Sequence, residues 1–320
     1  MDASLLIENL TNPALLFFVL GIIAVYLRSD LRIPTGSSKF ISLYLLFSIG
    51  FKGGQELSHE PFSREIALSM LFGIALSVII PVYTFFILRR KLNIFDSGAI
   101  AAAYGSVSAV TFVTAGSYLE AHNYEIHGYM VAIMALMESP AIIAGLILIS
   151  VFNTSPNKHI NKSEALRHSF TSGSVLMILG SLVVGFLANA KHAEGIKPFT
   201  TDIFKGFLAI FLLDMGIASG KKLNSFLANG IFPLIFAIII PLVNGCLTAY
   251  ISQLVTADVS NRFIFAILAA SASYIAVPAA MKIAVPEANP GIFLPMALAV
   301  TFPLNITVGM PLYFWIANHY

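Results

Sequence analysis

The chain has 320 residues, of which 58% are hydrophobic and only 11% charged, against about 25% charged in an ordinary soluble domain. That excludes a soluble globular domain and points to a polytopic membrane protein. A net charge of +2 says little about nucleic-acid or soluble partners, and no nucleic-acid partner is expected; the single cysteine, Cys246, rules out an intrachain disulfide or a multi-cysteine metal site.

The N-terminus, MDASLLIENL, carries acids where a cleaved leader would carry bases, so the first span is expected to be retained. Apolar runs between charged or turn-rich gaps predict ten spans: 13–28, 39–55, 66–88, 97–118, 127–151, 170–189, 203–219, 231–254, 263–283 and 291–317. Gaps after the odd-numbered spans hold Arg28, Arg32, Lys39, Arg89, Arg90, Lys91, Lys158, Lys162, Arg167, Lys221, Lys222 and Lys282. The other side keeps Lys52, Arg64, Lys191, Lys197, Lys205 and Arg262. This bias predicts the first group in the cytoplasm and both termini outside; the membrane expected is a bacterial inner membrane.

The second half echoes the first. Leu20-Gly21 answers Leu179-Gly180, and LFSIGFKGGQEL (46–57) overlies LLDMGIASGKKL (212–223), matching Gly50 to Gly216 and Gly54 to Gly220. Ile-Ile-Pro ends at Pro81 in span 3 and at Pro241 in span 8. GSVSAV (105–110) overlies ASASYI (270–275), and Gly145 meets Gly309. The fold class expected is therefore all-α: ten transmembrane helices as two inverted five-helix repeats, residues 1–151 and 170–320, joined by a cytoplasmic linker at 152–169. An odd number of spans per half inverts the second copy, a common construction of secondary transporters.

Interruptions at matching places in the two halves point to a transporter's site. Span 4 offers Gly105, Ser106, Ser108 and Thr111; span 9 offers Ser271, Ser273 and Tyr274 ahead of Pro278. Pro278 lacks an amide donor and pushes Val277 away from helical geometry, so a break is expected there. Half-helix amides and hydroxyls at such breaks can hold an anion without a buried arginine. A plainer reading is that small residues let helices approach closely, with serine hydroxyls bonded to their own helices. The GxxxG pairs, Gly50 with Gly54 and Gly216 with Gly220, read as packing surfaces against span 4 or 9. Two carboxylates fall within spans. Glu138, followed by Ser139 and Pro140, is a candidate cation ligand; Asp214 has only Ser48 at the matching position. Either acid could instead pair with a lysine or carry a proton.

GSVSAVTFVTAGSYLE, MESPA, SASYIAVPAAMKIAVPEANP and the ending FPLNITVGMPLY together resemble the sodium-dependent bicarbonate transporter family of cyanobacteria and other bacteria, along essentially the whole chain. The resemblance implies a core domain moving against a scaffold, a homotrimer, a bicarbonate site between the span 4 and span 9 breaks, sodium nearby as the coupling ion, and a P-II-like regulatory protein on the cytoplasmic face. It places Ser106, Ser108 and Thr111 in one serine motif, Ser271 and Ser273 in the other, and Glu138 at a usually acidic position. Tyr274, Ala276 and Val277 depart from a pattern of Asp, Ser and Gly, which weakens the case for sodium.

A channel would need a continuous polar lining. An enzyme would need a nucleophile with its base, or a metal set, and neither GxSxG nor HExxH occurs. A proton-coupled or uncoupled carrier of another small oxyanion or organic acid stays open, as does a non-transporting receptor.

Overall fold

Backbone polar groups in long apolar runs have no water to bond, which forces helices. The computed structural model describes residues 13–59, 61–153, 173–227 and 230–320, and every regular element among them is helical. In chain order they are α1 (Pro13–Tyr26), α2 (Thr35–His59), α3 (Arg64–Leu88), α4 (Ile94–Gly105), α5 (Ala109–Ala121), α6 (Gly128–Phe152) and α7 (Gly173–Leu187). There follow α8 (Ala190–Lys197), α9 (Phe204–Leu227), α10 (Ile231–Ile251), α11 (Val259–Ala270) and α12 (Ala276–Ala284). The last, α13 (Pro290–His319), includes π-helical turns at Met296–Thr301 and Asn305–Gly309. Most of the expected linker, from residue 154 onward, lies outside the described residues.

Among the described residues six segments are long and apolar enough to cross a membrane: Arg64–Leu88, Ile94–Ala121, Gly128–Phe152, Lys191–Leu223, Ile231–Leu254 and Pro290–His319. Three apolar helices are shorter, Pro13–Tyr26, Val175–Leu187 and Val259–Ala270. The remaining expected spans fall below that standard for local reasons. Lys39, Lys52 and Glu56 dilute α2, and span 9 is cut between α11 and α12.

Burial sorts the helices. α4 is buried on all sides from Asp96 to Gly105, as is α11 from Ser260 to Ala270, which is where all-round apolar helices belong. In contrast α3 and α10 turn Val78 and Ile79, and Ile235 and Ile239, outward. α3, α4 and α6 pack together, as do α10, α11 and α13. α1 packs along α9, and α2 along α7.

Glycines set those last two contacts. A Cβ on Gly50 would lie 2.6 Å from the Ile178 carbonyl oxygen, and one on Gly54 would collide with the Leu182 carbonyl. On the other pair, Gly216 faces the Phe18 carbonyl and Gly21, and Gly220 faces Val25. Both GxxxG pairs are therefore packing surfaces as expected, but their partners are α7 and α1, not spans 4 and 9. Four-residue spacing fixes which face approaches closely and carries no information about the approaching helix.

Pro81, Pro140 and Pro241 all lie inside continuous helices, α3, α6 and α10. Pro140 thus removes one amide donor, the one that would reach the carbonyl of residue 136, without breaking the helix at Glu138. In PEANP, the Asn289 side chain accepts from the Gly291 amide at 2.9 Å, while the Asn289 amide donates to the Asp96 carboxylate at 2.6 Å. That turn ties the start of α13 to the start of α4.

Candidate functional site

Two breaks meet at the centre. α4 stops at Gly105, Ser106 is extended (φ −82°, ψ 177°), and α5 begins after Ser108. α11 stops at Ala270, Ser271 is likewise extended (φ −79°, ψ 163°), and α12 begins at Ala276. The second break therefore precedes Pro278 instead of falling on it. Pro278 sits in the first turn of α12, where no intrahelical amide is required, and Val277 is helical.

Each break bonds the other. The Ser108 amide donates to Ser271 Oγ at 3.0 Å, and the Ser273 amide donates to the Ala103 carbonyl at 2.8 Å. Ser108 also caps α5, its Oγ accepting from the Thr111 amide at 3.2 Å; Ser273 Oγ accepts from the Val277 amide at 3.3 Å at the start of α12. Ser271 Oγ donates to the Leu268 carbonyl at 3.0 Å. The hydroxyls at 108, 271 and 273 thus satisfy backbone groups that the interruptions would leave bare.

Carbonyls freed at the end of α11 find amide side chains from other helices. Asn244 Nδ2 donates to the Ala269 carbonyl at 3.2 Å and Asn305 Nδ2 to the Ala270 carbonyl at 2.8 Å. Tyr83 donates to Asn244 Oδ1, and Tyr313 to Asn305 Oδ1 at 3.1 Å, fixing both amides. On the other break, the Tyr104 and Thr301 hydroxyls bond at 2.7 Å, and Thr301 donates to the Ala237 carbonyl at 2.9 Å. Sequence reasoning looked among ionisable and hydroxyl side chains and missed these asparagines. Two amides inside the apolar runs PLVNGCL and FPLNITV were the available signal.

A cavity of about 30 Å³ lies against the breaks, lined by Ser108, Glu138, Ser273 and Tyr274 and closed from α2 and α9 by Leu45, Leu46 and Phe211. Four predicted site residues therefore share one small space. Gly105, Ser106 and Thr111 at the first break and Ser271 at the second do not line it; Gly105 packs against the Pro81 ring, and the Ser106 hydroxyl is buried without a partner among the described residues. Glu138 is 8% exposed, and its Oε1 has no hydrogen bond. Ser139, next to it, is buried but does not line the cavity. The Tyr274 hydroxyl approaches Ser108 without completing a hydrogen bond of normal geometry. Asp214 is not brought to this place: it accepts from the Ser38 hydroxyl at 2.5 Å, between α9 and α2.

A second, wider cavity of about 290 Å³ includes Val113, which also lines the small one, and carries Lys52, Glu120 and Lys205. Among the described residues no group of three or more His, Cys, Asp or Glu side chains could hold a metal ion.

Helices apolar enough to cross a bilayer, and interrupted together where hydroxyls, amides and one carboxylate converge, define a membrane transporter. The family model of the Na+-dependent bicarbonate transporter superfamily matches residues 13–318, nearly the whole chain, and the chain belongs to that superfamily. A comparison with curated proteins finds no match.

Proposed function

We propose that the protein is a secondary transporter that takes up bicarbonate together with sodium by alternating access. The observation that carries this reading is the small cavity where the starts of α5 and α12 meet Glu138, whose buried Oε1 has no hydrogen-bond partner among the described residues. The first amides of any helix lack intrahelical partners and sit at the positive end of its dipole. Ala109, Val110 and Ala276 line the cavity at two such ends, so a small anion would be held by backbone donors without a fixed cation. The volume suits a small inorganic anion better than a multi-carbon acid in this conformation, since it equals room for about two to three waters. Glu138 would hold the sodium, whose charge offsets the desolvation of both ions.

The architecture we propose is ten crossing helices in two inverted halves, 1–151 and 170–320. Its support is the exchange in packing: α2 with α7 repeats as α9 with α1, and the α3, α4, α6 cluster repeats as α10, α11, α13. α1 and α2 would then join α7 and α9 as a scaffold, against which the two clusters move as a core. The Lys/Arg bias supports an orientation with both termini outside, and we propose a bacterial inner membrane. A homotrimer and a P-II-like cytoplasmic partner belong to the same proposal, supported only by the resemblance of the sequence motifs.

Uptake of labelled bicarbonate into proteoliposomes, with and without an inward sodium gradient, tests the function. Sodium-stimulated accumulation is expected. Accumulation driven by a proton gradient alone would give Glu138 the proton instead, and no accumulation under either gradient would overturn the reading. For orientation, single cysteines at Arg90 and Asn318, introduced after Cys246→Ser, should label from opposite faces.

A further inference from the structure

Glu120 ends α5, the helix whose start lines the small cavity. Its two carboxylate oxygens are held separately: Oε1 lies 3.1 Å from Lys52 Nζ on α2, and Oε2 lies 3.3 Å from Lys205 Nζ on α9. All three side chains are partly exposed, at 39% to 65%, and they line the 290 Å³ vestibule. Thus two ammonium groups from helices outside the break converge on one planar carboxylate. The vestibule adjoins the small cavity at Val113 and lies on the side that the Lys/Arg bias reads as external.

We propose that Lys52 and Lys205 form a receiving site for a small planar oxyanion of the carboxylate class, and that the Glu120 carboxylate is the tethered occupant which the incoming anion displaces. Three features support it. Bicarbonate and carboxylate share a planar pair of oxygens, so the two-lysine geometry that fits one fits the other. The exposed ion pairs are weak enough to exchange, since such pairs contribute about 0.2–1 kcal/mol. Glu56 and Asp202 also line the vestibule, so the field favours an anion only where both lysines meet, and disfavours multivalent anions.

Displacement has a mechanical result. α5 has 13 residues, about 20 Å of helix, with the vestibule at its end and the capping Ser108 at its start. Releasing Glu120 unties the far end of this helix from α2 and α9 as the anion arrives.

The identity of the anion as substrate rests on the transport reading; the site itself is testable without transport. Lysines of the detergent-solubilised full chain are converted to 13C-dimethyl-lysines, which keep their charge, and the signals are assigned with Lys52→Arg and Lys205→Arg. Bicarbonate and formate are titrated at constant ionic strength. Both signals should shift saturably, and Glu120→Gln, which removes the tethered competitor, should lower the midpoint roughly two- to thirtyfold, the equivalent of two exposed pairs. Glu120→Asp should keep a midpoint near the parent's, and Ser108→Ala should not move it. A response absent from Glu120→Gln, or a midpoint that this substitution leaves unchanged, overturns the proposal. So does a response abolished by Ser108→Ala, because the lysines would then be reporting the inner cavity. Proteoliposomes that accumulate no bicarbonate, alongside the expected lysine response, would remove the transport reading and leave the site standing.

Discussion

Replacing Ser271 with alanine separates a hydroxyl that builds the site from one that only lies near it. Ser271 Oγ accepts the Ser108 amide and donates to the Leu268 carbonyl, both at 3.0 Å, at a residue 1% exposed. Alanine leaves the Ser108 amide a buried donor without an acceptor, which costs about 1–3 kcal/mol. Ser106 occupies the matching place in the first break, yet its buried hydroxyl has no partner among the described residues. Ser106→Ala removes no bond and one buried unsatisfied hydroxyl, so it should leave stability unchanged or raise it. SDS titration of the purified protein in mixed micelles, followed by circular dichroism, measures both. Equal losses in the two variants, or a Ser271→Ala protein as stable as the parent, would refute the claim that these hydroxyls hold the breaks together.

Glu138→Gln keeps the side chain's volume and removes its charge, so sodium dependence of uptake should vanish, while Asp214→Asn should retain most of it; the reverse result would assign coupling to the wrong acid. Gly216→Val drives a side chain into the Phe18 carbonyl and should destabilise the α1–α9 contact by about 1–3 kcal/mol. Gly180→Val meets nothing within 4 Å and should be silent in the same unfolding assay. Outside the spans, burial raises Asp258, but the hydrogen bond and charge of His127 and the Asn261 amide outweigh it and hold its carboxyl below the ordinary range. A depressed carboxylate stabilises fully above its unfolded value, about 3.9, and loses that contribution as pH falls through the folded value. The stability gap between the parent and Asp258→Asn, measured by thermal unfolding below about pH 5, where His127 is protonated, should therefore close as pH falls below about 4; a gap unchanged down to about pH 3 would contradict this.

Paired hydroxyls at matched positions made the breaks legible, because Ser106 and Ser271 begin both interruptions and Ser108 and Ser273 receive the following half-helices. Pro278 misplaced the second one because a missing donor is harmless in a helix's first turn, so proline there marks a start and not a gap. Glu138 stood out as a lone acid in an apolar run. Asn244, Asn305 and the Lys52–Glu120–Lys205 cluster did not, since each acts on a group distant in the chain, and local pattern carries no record of such meetings. The same limit hid the partners of the glycine faces.

The exchange of helices between the halves also bears on how the chain is assembled. α1 closes on α9, which ends at Leu227, and α2 closes on α7, which ends at Leu187. During synthesis the faces around Gly21, Gly50 and Gly54 must therefore stay covered by lipid until well into the second half. On this packing α1 and α2 complete their helix contacts only once α7 and α9 have been made.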